Sequence, residues 1–308
     1  NQQTYDWCVR AFDRVKNLLG VQIKLHHEHG QIELGDIFLF NHFARMETFI
    51  PQYLIYQETG AFCRSIAAAE FFKGKGRFPQ VLRDLGAVPN DHPDLMPMLA
   101  RDILKGRKIV IFPEGGMVKD RQVVDDQGKY SVFSRSAQAR RKHHTGAARL
   151  AIGLQIIKLR VLEEFKRENH VLLQQWADRL ELPTVETLLR NARRPVSIVP
   201  ANITFYPLRI SDNILRRGAD FLHGNLSQRA VEELIVEGNL FFKTTDMDIR
   251  LGDAIFPLDS WAWWERLSAT YLARQLTDPN EIFDGTYLRA NAIRSKATKG
   301  LHASINRL

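Results

Sequence analysis

His42 and Glu47 have the residue types and spacing for proton transfer: a histidine that could act as general base, and a carboxylate five positions on that could orient it. On one straight helix the two side chains would stand about 140° apart. The pair therefore works only with His42 in a turn and Glu47 reaching back from the first turns of a following helix. Asp36 to Phe40 (DIFLF) is a short, almost wholly apolar run with Gly35 as turn signal before it, the pattern of a buried parallel strand. Asn41-His42 then stands at the carboxyl end of that strand, where open α/β sheets carry their chemistry. Met46 to Glu58 has the composition of the helix that would follow. A capping residue beside a solvated glutamate is the plainer reading of the same pair.

A second run adds to the first. Lys108 to Phe112 (KIVIF) reads as another buried strand, broken at its carboxyl end by Pro113-Glu114-Gly115-Gly116. Two parallel strands of one sheet would present His42 and Glu114 on the same edge. The sequence NHFARME followed by FPEGG at this separation resembles the glycerophospholipid acyltransferases, which include the lysophosphatidic acid and glycerol-3-phosphate acyltransferases. Their pattern is Asn-His-x-Ser-x-x-Asp, then Phe-Pro-Glu-Gly-Thr-Arg, then a strand containing Val-Pro. Downstream, Thr145 to Ile152 resembles the Gly-Ala-Ala helix of the family and Ile198 to Ile203 its Val-Pro strand. Ile249 to Ile255 is similar to the strand and turn that close its domain. The resemblance runs in order over roughly residues 30 to 257.

The resemblance implies an α/β fold, a mixed sheet flanked by helices, and acyl transfer from acyl-CoA or acyl carrier protein to a lipid hydroxyl. It implies His42 as base and Glu47 as its orienting carboxylate. Asn41, His92, Phe112, Pro113, Glu114, Gly115 and Gly116 would shape the substrate site, and a 1-acyl-glycerol-3-phosphate would be the acceptor. Neither metal nor bound cofactor is implied; the acyl thioester is consumed as co-substrate. Several positions depart from the family. Glu47 is one methylene longer than the usual aspartate. His92 stands where Gly-Ala-Val-Pro-Asn-Asp-His aligns with a family block ending in a phosphate-binding arginine, and a histidine forms no bidentate fork. Gly116-Met117 replaces Thr-Arg, with Lys119 the nearest cation. The lost arginines leave two alternatives open: a non-catalytic lipid- or membrane-binding module of this fold, and a thioesterase in which water replaces the acceptor.

Composition narrows the class. Hydrophobic residues at 44% and charged ones at 25% make a globular chain of 308 residues, enough for one large domain with accessory parts. A formal charge of +8 favours anionic partners. Lys129, Arg135, Arg140, Arg141, Lys142 and Arg149 form a basic run with no recognised nucleic-acid module beside it, so an anionic membrane surface is the partner expected and nucleic acid is not. Two cysteines, Cys8 and Cys63, form no disulfide framework. No apolar run approaches a membrane span. The expected placement is the cytoplasmic face of a membrane, peripheral or monotopic. The chain starts at Asn1, which is compatible with an anchor lost from a processed end.

Along the chain, Tyr5 to Leu19 has the apolar spacing of an amphipathic helix, packed on the core or lying in lipid headgroups. Val21 to Leu25 suggests a strand. His26-His27-Glu28-His29 has metal-type ligands, but packed in a turn without a matching set elsewhere, which is usual for a solvated loop. The loop Lys73 to Arg77 is basic and Gly-rich but lacks a P-loop ending. Residues 153–195 carry a helical insertion, a cover for the acyl chain or simply core. Leu215 to Leu240 is mostly helical, and Trp261, Trp263, Trp264 and Tyr271 are either core or a membrane-interface cluster. The expected division is a lead-in at 1–29, an acyltransferase domain at 30–258 and C-terminal helices at 259–308.

Overall fold

The computed structural model describes residues 23–28, 30–41, 49–73, 77–114, 132–134, 139–141, 144–206 and 246–284, with scattered helical positions between 3 and 14. Its centre is a seven-stranded mixed sheet in the order β1-β9-β8-β2-β5-β3-β4. The strands are β1 (Ile23–His26), β2 (Ile37–Phe40), β3 (Cys63–Ala67), β4 (Ala87–Pro89), β5 (Lys108–Ile111), β8 (Ile198–Tyr206) and β9 (Asp246–Leu251); β6 (Val132–Ser134) and β7 (Ala139–Arg141) form a separate antiparallel hairpin. Five strands, β8, β2, β5, β3 and β4, run parallel. β9 is antiparallel to β8 and β1 is parallel to β9, so the last two strands run the other way.

β2 (IFLF) and β5 (KIVI) lie at the centre because both faces of each strand can be buried, as their near-continuous apolar character requires. Their pleat divides the core. Ile37, Ile109, Ile111 and Ile198 face one cluster, and Phe38, Phe40, Val110 and Val199 face the other. The first cluster is covered by α4 (Leu95–Leu104), α5 (Gly146–Lys166), α6 (His170–Arg179), α7 (Val185–Arg193) and α9 (Trp263–Gln275); a one-turn helix, α8 (Pro257–Ser260), precedes α9. The second is closed by Ile32 of α1 (Gln31–Leu34) and by Ile50 and Ile55 of α2 (Ile50–Thr59). α3 (Arg77–Asp84) leads into β4 through Gly86, whose φ of +92° and position 2.3 Å (as an added Cβ) from the Cys63 carbonyl admit no side chain.

Several expectations change in detail. The helix beginning at Gly146 runs unbroken to Lys166, so no boundary falls at 153. The helices of 153–195 form a core layer: Leu154, Ile157, Val161, Leu173, Trp176 and Leu188 are all buried against the sheet cluster. The lead-in is part of the fold too, since β1 pairs with β9 in register Ile23↔Met247. The described helical residues near the amino end pack on α2: Tyr5 Oη donates to the Gln52 carbonyl (3.1 Å), Tyr56 Oη donates to Asp6, and Tyr53 Oη donates to Asp13. Tyr5 and Val9 are buried there, which is the packed alternative for that helix. The tryptophan cluster divides: Trp261 is core at 4% exposure, whereas Trp263 is 75% exposed and Leu267 61%. The expected helix of 215–240 and the tail from Asn291 lie outside the described residues.

Candidate active site

Because β2 and β5 are neighbours and parallel, with Leu39 opposite Ile111, Asn41 and the Phe112-Pro113-Glu114 turn leave the sheet at one edge. β8 lies on the other side of β2 and sends its carboxyl end to the same edge. His42, Glu47, Gly115 and Gly116 follow these segments in the chain and lie outside the described residues.

Asn41 holds the edge together. Its Nδ2 donates to the Ile203 carbonyl (3.1 Å), and its Oδ1 accepts from the Ile203 N–H (2.6 Å). The carboxamide thus extends the β2–β8 ladder by one rung after the strand has ended, as an amide group mimicking backbone can. Both polar atoms of Asn41 are engaged with strand β8, so its place is in fixing the residue before His42. Phe112 belongs to the second core cluster, its ring 6.4 Å from that of Phe40. The Pro113 carbonyl accepts from the His144 N–H (2.9 Å), which fastens the lead-in to α5 onto the same turn. Glu114 is half-buried.

His92 stands just beyond β4, on the same edge but at the far side of the sheet. Three strand spacings, about 14 Å, separate β4 from β2. Its Nδ1 accepts from the Asp94 N–H (3.1 Å), and its carbonyl accepts from Leu95 N–H (3.2 Å) at the start of α4. While Nδ1 accepts that bond the ring proton sits on Nε2, which leaves a single N–H for any ligand. His92 therefore serves the entry to α4 as well as facing the edge.

Of the other expected features, the loop Lys73–Arg77 is described only at its ends, and the side chains of the 129–143 basic run are not among the described residues. His26 Nε2 lies 3.7 Å from Asp248 Oδ2 across β1 and β9. Among the described residues no group of three metal-type side chains comes together, and no helix is long and apolar enough to cross a membrane. Cys63 is buried, and desolvation pushes its thiol far above the ordinary range, so it is inert.

Sequence reasoning missed a buried ionic group at the opposite edge of the sheet. Lys158 (2% exposed) and Lys108 (6%) flank Asp36, which accepts from the Ser197 N–H (3.3 Å). Lys158 was visible as a cation, two positions before Arg160, in an otherwise apolar helical stretch (LAIGLQIIKLRVL), and Asp36 as a carboxylate leading an apolar strand.

An open, mostly parallel sheet from which Asn41 and the Phe112-Pro113-Glu114 turn leave at the strands' carboxyl ends defines an α/β domain. The acyltransferase family model matches residues 22–161, from the lead-in to β1 to most of α5. Over that segment the chain is similar to the acyltransferase family, which includes the glycerophospholipid acyltransferases. No curated protein matches the chain in sequence.

Proposed function

We propose that the chain is an O-acyltransferase that moves a fatty acyl group from acyl-CoA or acyl carrier protein to the hydroxyl of a lysophospholipid-type acceptor, 1-acyl-glycerol-3-phosphate foremost. The observation that supports the reading is the pairing of β2 with β5, which sends Asn41 and the Phe112-Pro113-Glu114 turn out at one edge inside the family match. His42 takes the proton of the acceptor hydroxyl as its oxygen attacks the thioester carbonyl. When the tetrahedral intermediate collapses, the C–S bond breaks and the same imidazolium protonates the leaving thiolate. Glu47 holds the imidazole tautomer and stabilises the imidazolium. Glu114, Gly115 and Gly116 shape the acceptor pocket, where small residues let backbone N–H groups approach the oxyanion. The mechanism uses no metal and no bound cofactor.

The chain works at the cytoplasmic face of an anionic membrane, as a peripheral or monotopic protein in phospholipid synthesis or remodelling. The formal charge of +8 and the exposed Trp263, Trp264 and Leu267 at the start of α9 support this placement, since indole rings favour the headgroup level. The test is a panel of acceptors (lysophosphatidate, other lysophospholipids, monoacylglycerol and glycerol 3-phosphate) offered with one labelled acyl-CoA. Lysophosphatidate is expected to be acylated fastest. Preference for an uncharged acceptor would overturn the assignment of substrate.

A further inference from the structure

We infer that the amino-end edge of the sheet holds a chloride-sized anion, in a pocket of about 20 Å³ lined by Asp36, Arg107, Lys108, Lys158, Asn191 and Arg194. This pocket is separate from the edge that carries the acyltransferase motifs, so the inference stands whatever the chain transfers.

Charge is the first argument. Four cations and one carboxylate line the pocket. Lys108 and Lys158 line it, and both are buried. Asp102 is engaged by Arg107 (Nη1 to Oδ1, 3.4 Å) and by Arg64 at 2.6 Å, so that carboxylate is paired with the arginines and not with the lysines. A buried ammonium without a matching anion is costly. Desolvation lowers the pKa of both lysines, Lys108 to about 8, and the nearby Arg194 charge lowers them further.

Donor bookkeeping is the second. An ammonium carries three N–H donors. Lys108 donates to the Glu33 and Gly35 carbonyls (2.7 and 2.5 Å). Lys158 donates to the Arg194 carbonyl (3.0 Å) and lies 3.7 Å from Asp36 Oδ2. Those carbonyl bonds tie down the lysines and the end of α1, but carbonyls neutralise no charge. Each lysine keeps a donor unspent among the described residues.

The pocket is partly open to solvent and has room between its side chains for one occupant of water size or slightly larger, which a halide matches.

The test is thermal unfolding of the full chain at constant pH and ionic strength, with gluconate replaced stepwise by chloride. The melting midpoint is expected to rise saturably by a few degrees. Lys158→Met should abolish the rise, and Asp36→Asn, which removes the competing carboxylate, should shift saturation to lower chloride. Should Lys158→Met fail to fold, Arg194→Gln serves instead. That side chain is exposed and makes only long bonds (3.3 and 3.4 Å) to α1 carbonyls, and its loss should weaken the chloride response several-fold. Equal midpoints in chloride and gluconate, meaning water alone fills the pocket, would overturn the inference. So would a response unchanged in Arg194→Gln and Asp36→Asn, or one produced by sulfate or phosphate but not by chloride.

Discussion

The two edges of the sheet lie only about 13 Å apart, the length of a four-residue strand, yet they are held by opposite means. At the amino ends, β2 is preceded by Asp36 and β5 begins with Lys108, and these charges with Lys158 are sunk in the protein against backbone carbonyls and Ser197. At the carboxyl ends the same two strands are followed by Asn41 and by Phe112-Pro113, which hold the edge through neutral bonds to Ile203 and His144. Charge buried at one edge is spent on fixing where strands begin. Among the described residues, the bonds at the other edge that hold Asn41 and Pro113 join neutral groups. A fold divided in this way should separate cleanly under mutation: changes at the carboxyl edge should alter turnover, and changes at the amino edge should alter stability.

The largest effect should come from His42→Ala, which removes the proposed base and should lower acyl transfer by about 10²–10⁴-fold with the melting midpoint nearly unchanged. Glu47→Gln should lose less, because a hydrogen-bond partner remains for the imidazole. Initial rates and circular dichroism melts measure both. A melting loss as large as the rate loss would break the separation of the edges.

At the amino edge, Lys108 sharpens the comparison. Its folded pKa of about 8 lies below the value of 10.5 expected when unfolded, with Asp36, Glu33, Cys63, Arg194, Lys158 and Arg107 around it. Between those two values the unfolded chain binds the extra proton, so stability should rise with pH across that window. The rise should be on the order of 2–3 kcal/mol. Denaturant titrations in gluconate from pH 7.5 to 10 should show the slope in wild type and a flatter one in Lys108→Met.

Asn41→Ala should sit between the two classes. Losing both bonds to Ile203 should cost about 1–2 kcal/mol of stability. Because Asn41 immediately precedes His42, kcat should fall several-fold while KM holds. A KM effect alone would make Asn41 a substrate ligand instead of a positioning residue.

The smallest effect is expected at His92, which has one N–H to offer and is three strands away. His92→Arg should lower KM for lysophosphatidate a few-fold at pH 8, where a permanent charge has most to add. An unchanged KM would show that the acceptor phosphate is held elsewhere.

How much of this was legible depended on the range of the interaction. β2 and β5 could be read because four consecutive apolar residues between turn signals suit a strand buried on both faces. α5 was not legible as one helix, because Gly153 suggests a break. The structure gives that glycine another purpose: a Cβ there would lie 2.5 Å from the Phe283 ring, so it lets residues 279–283 pack closely on the helix. The pairing of β1 with β9 joins positions more than 200 residues apart, which no local pattern encodes. Likewise Asn41 stood out in the sequence beside His42, but its attachment to Ile203 depends on β8 lying beside β2. Lys158 and Asp36 looked like isolated polar residues in apolar segments, and only the fold brings them to one place.

The most direct test follows the labelled acyl group from acyl-CoA in the presence and absence of lysophosphatidate, with wild type and His42→Ala side by side. The account predicts that label leaves CoA only when acceptor is present, appears in the diacyl product, and does so only with His42 intact. Release of free fatty acid at the same rate without acceptor, or equal transfer by His42→Ala, would contradict it.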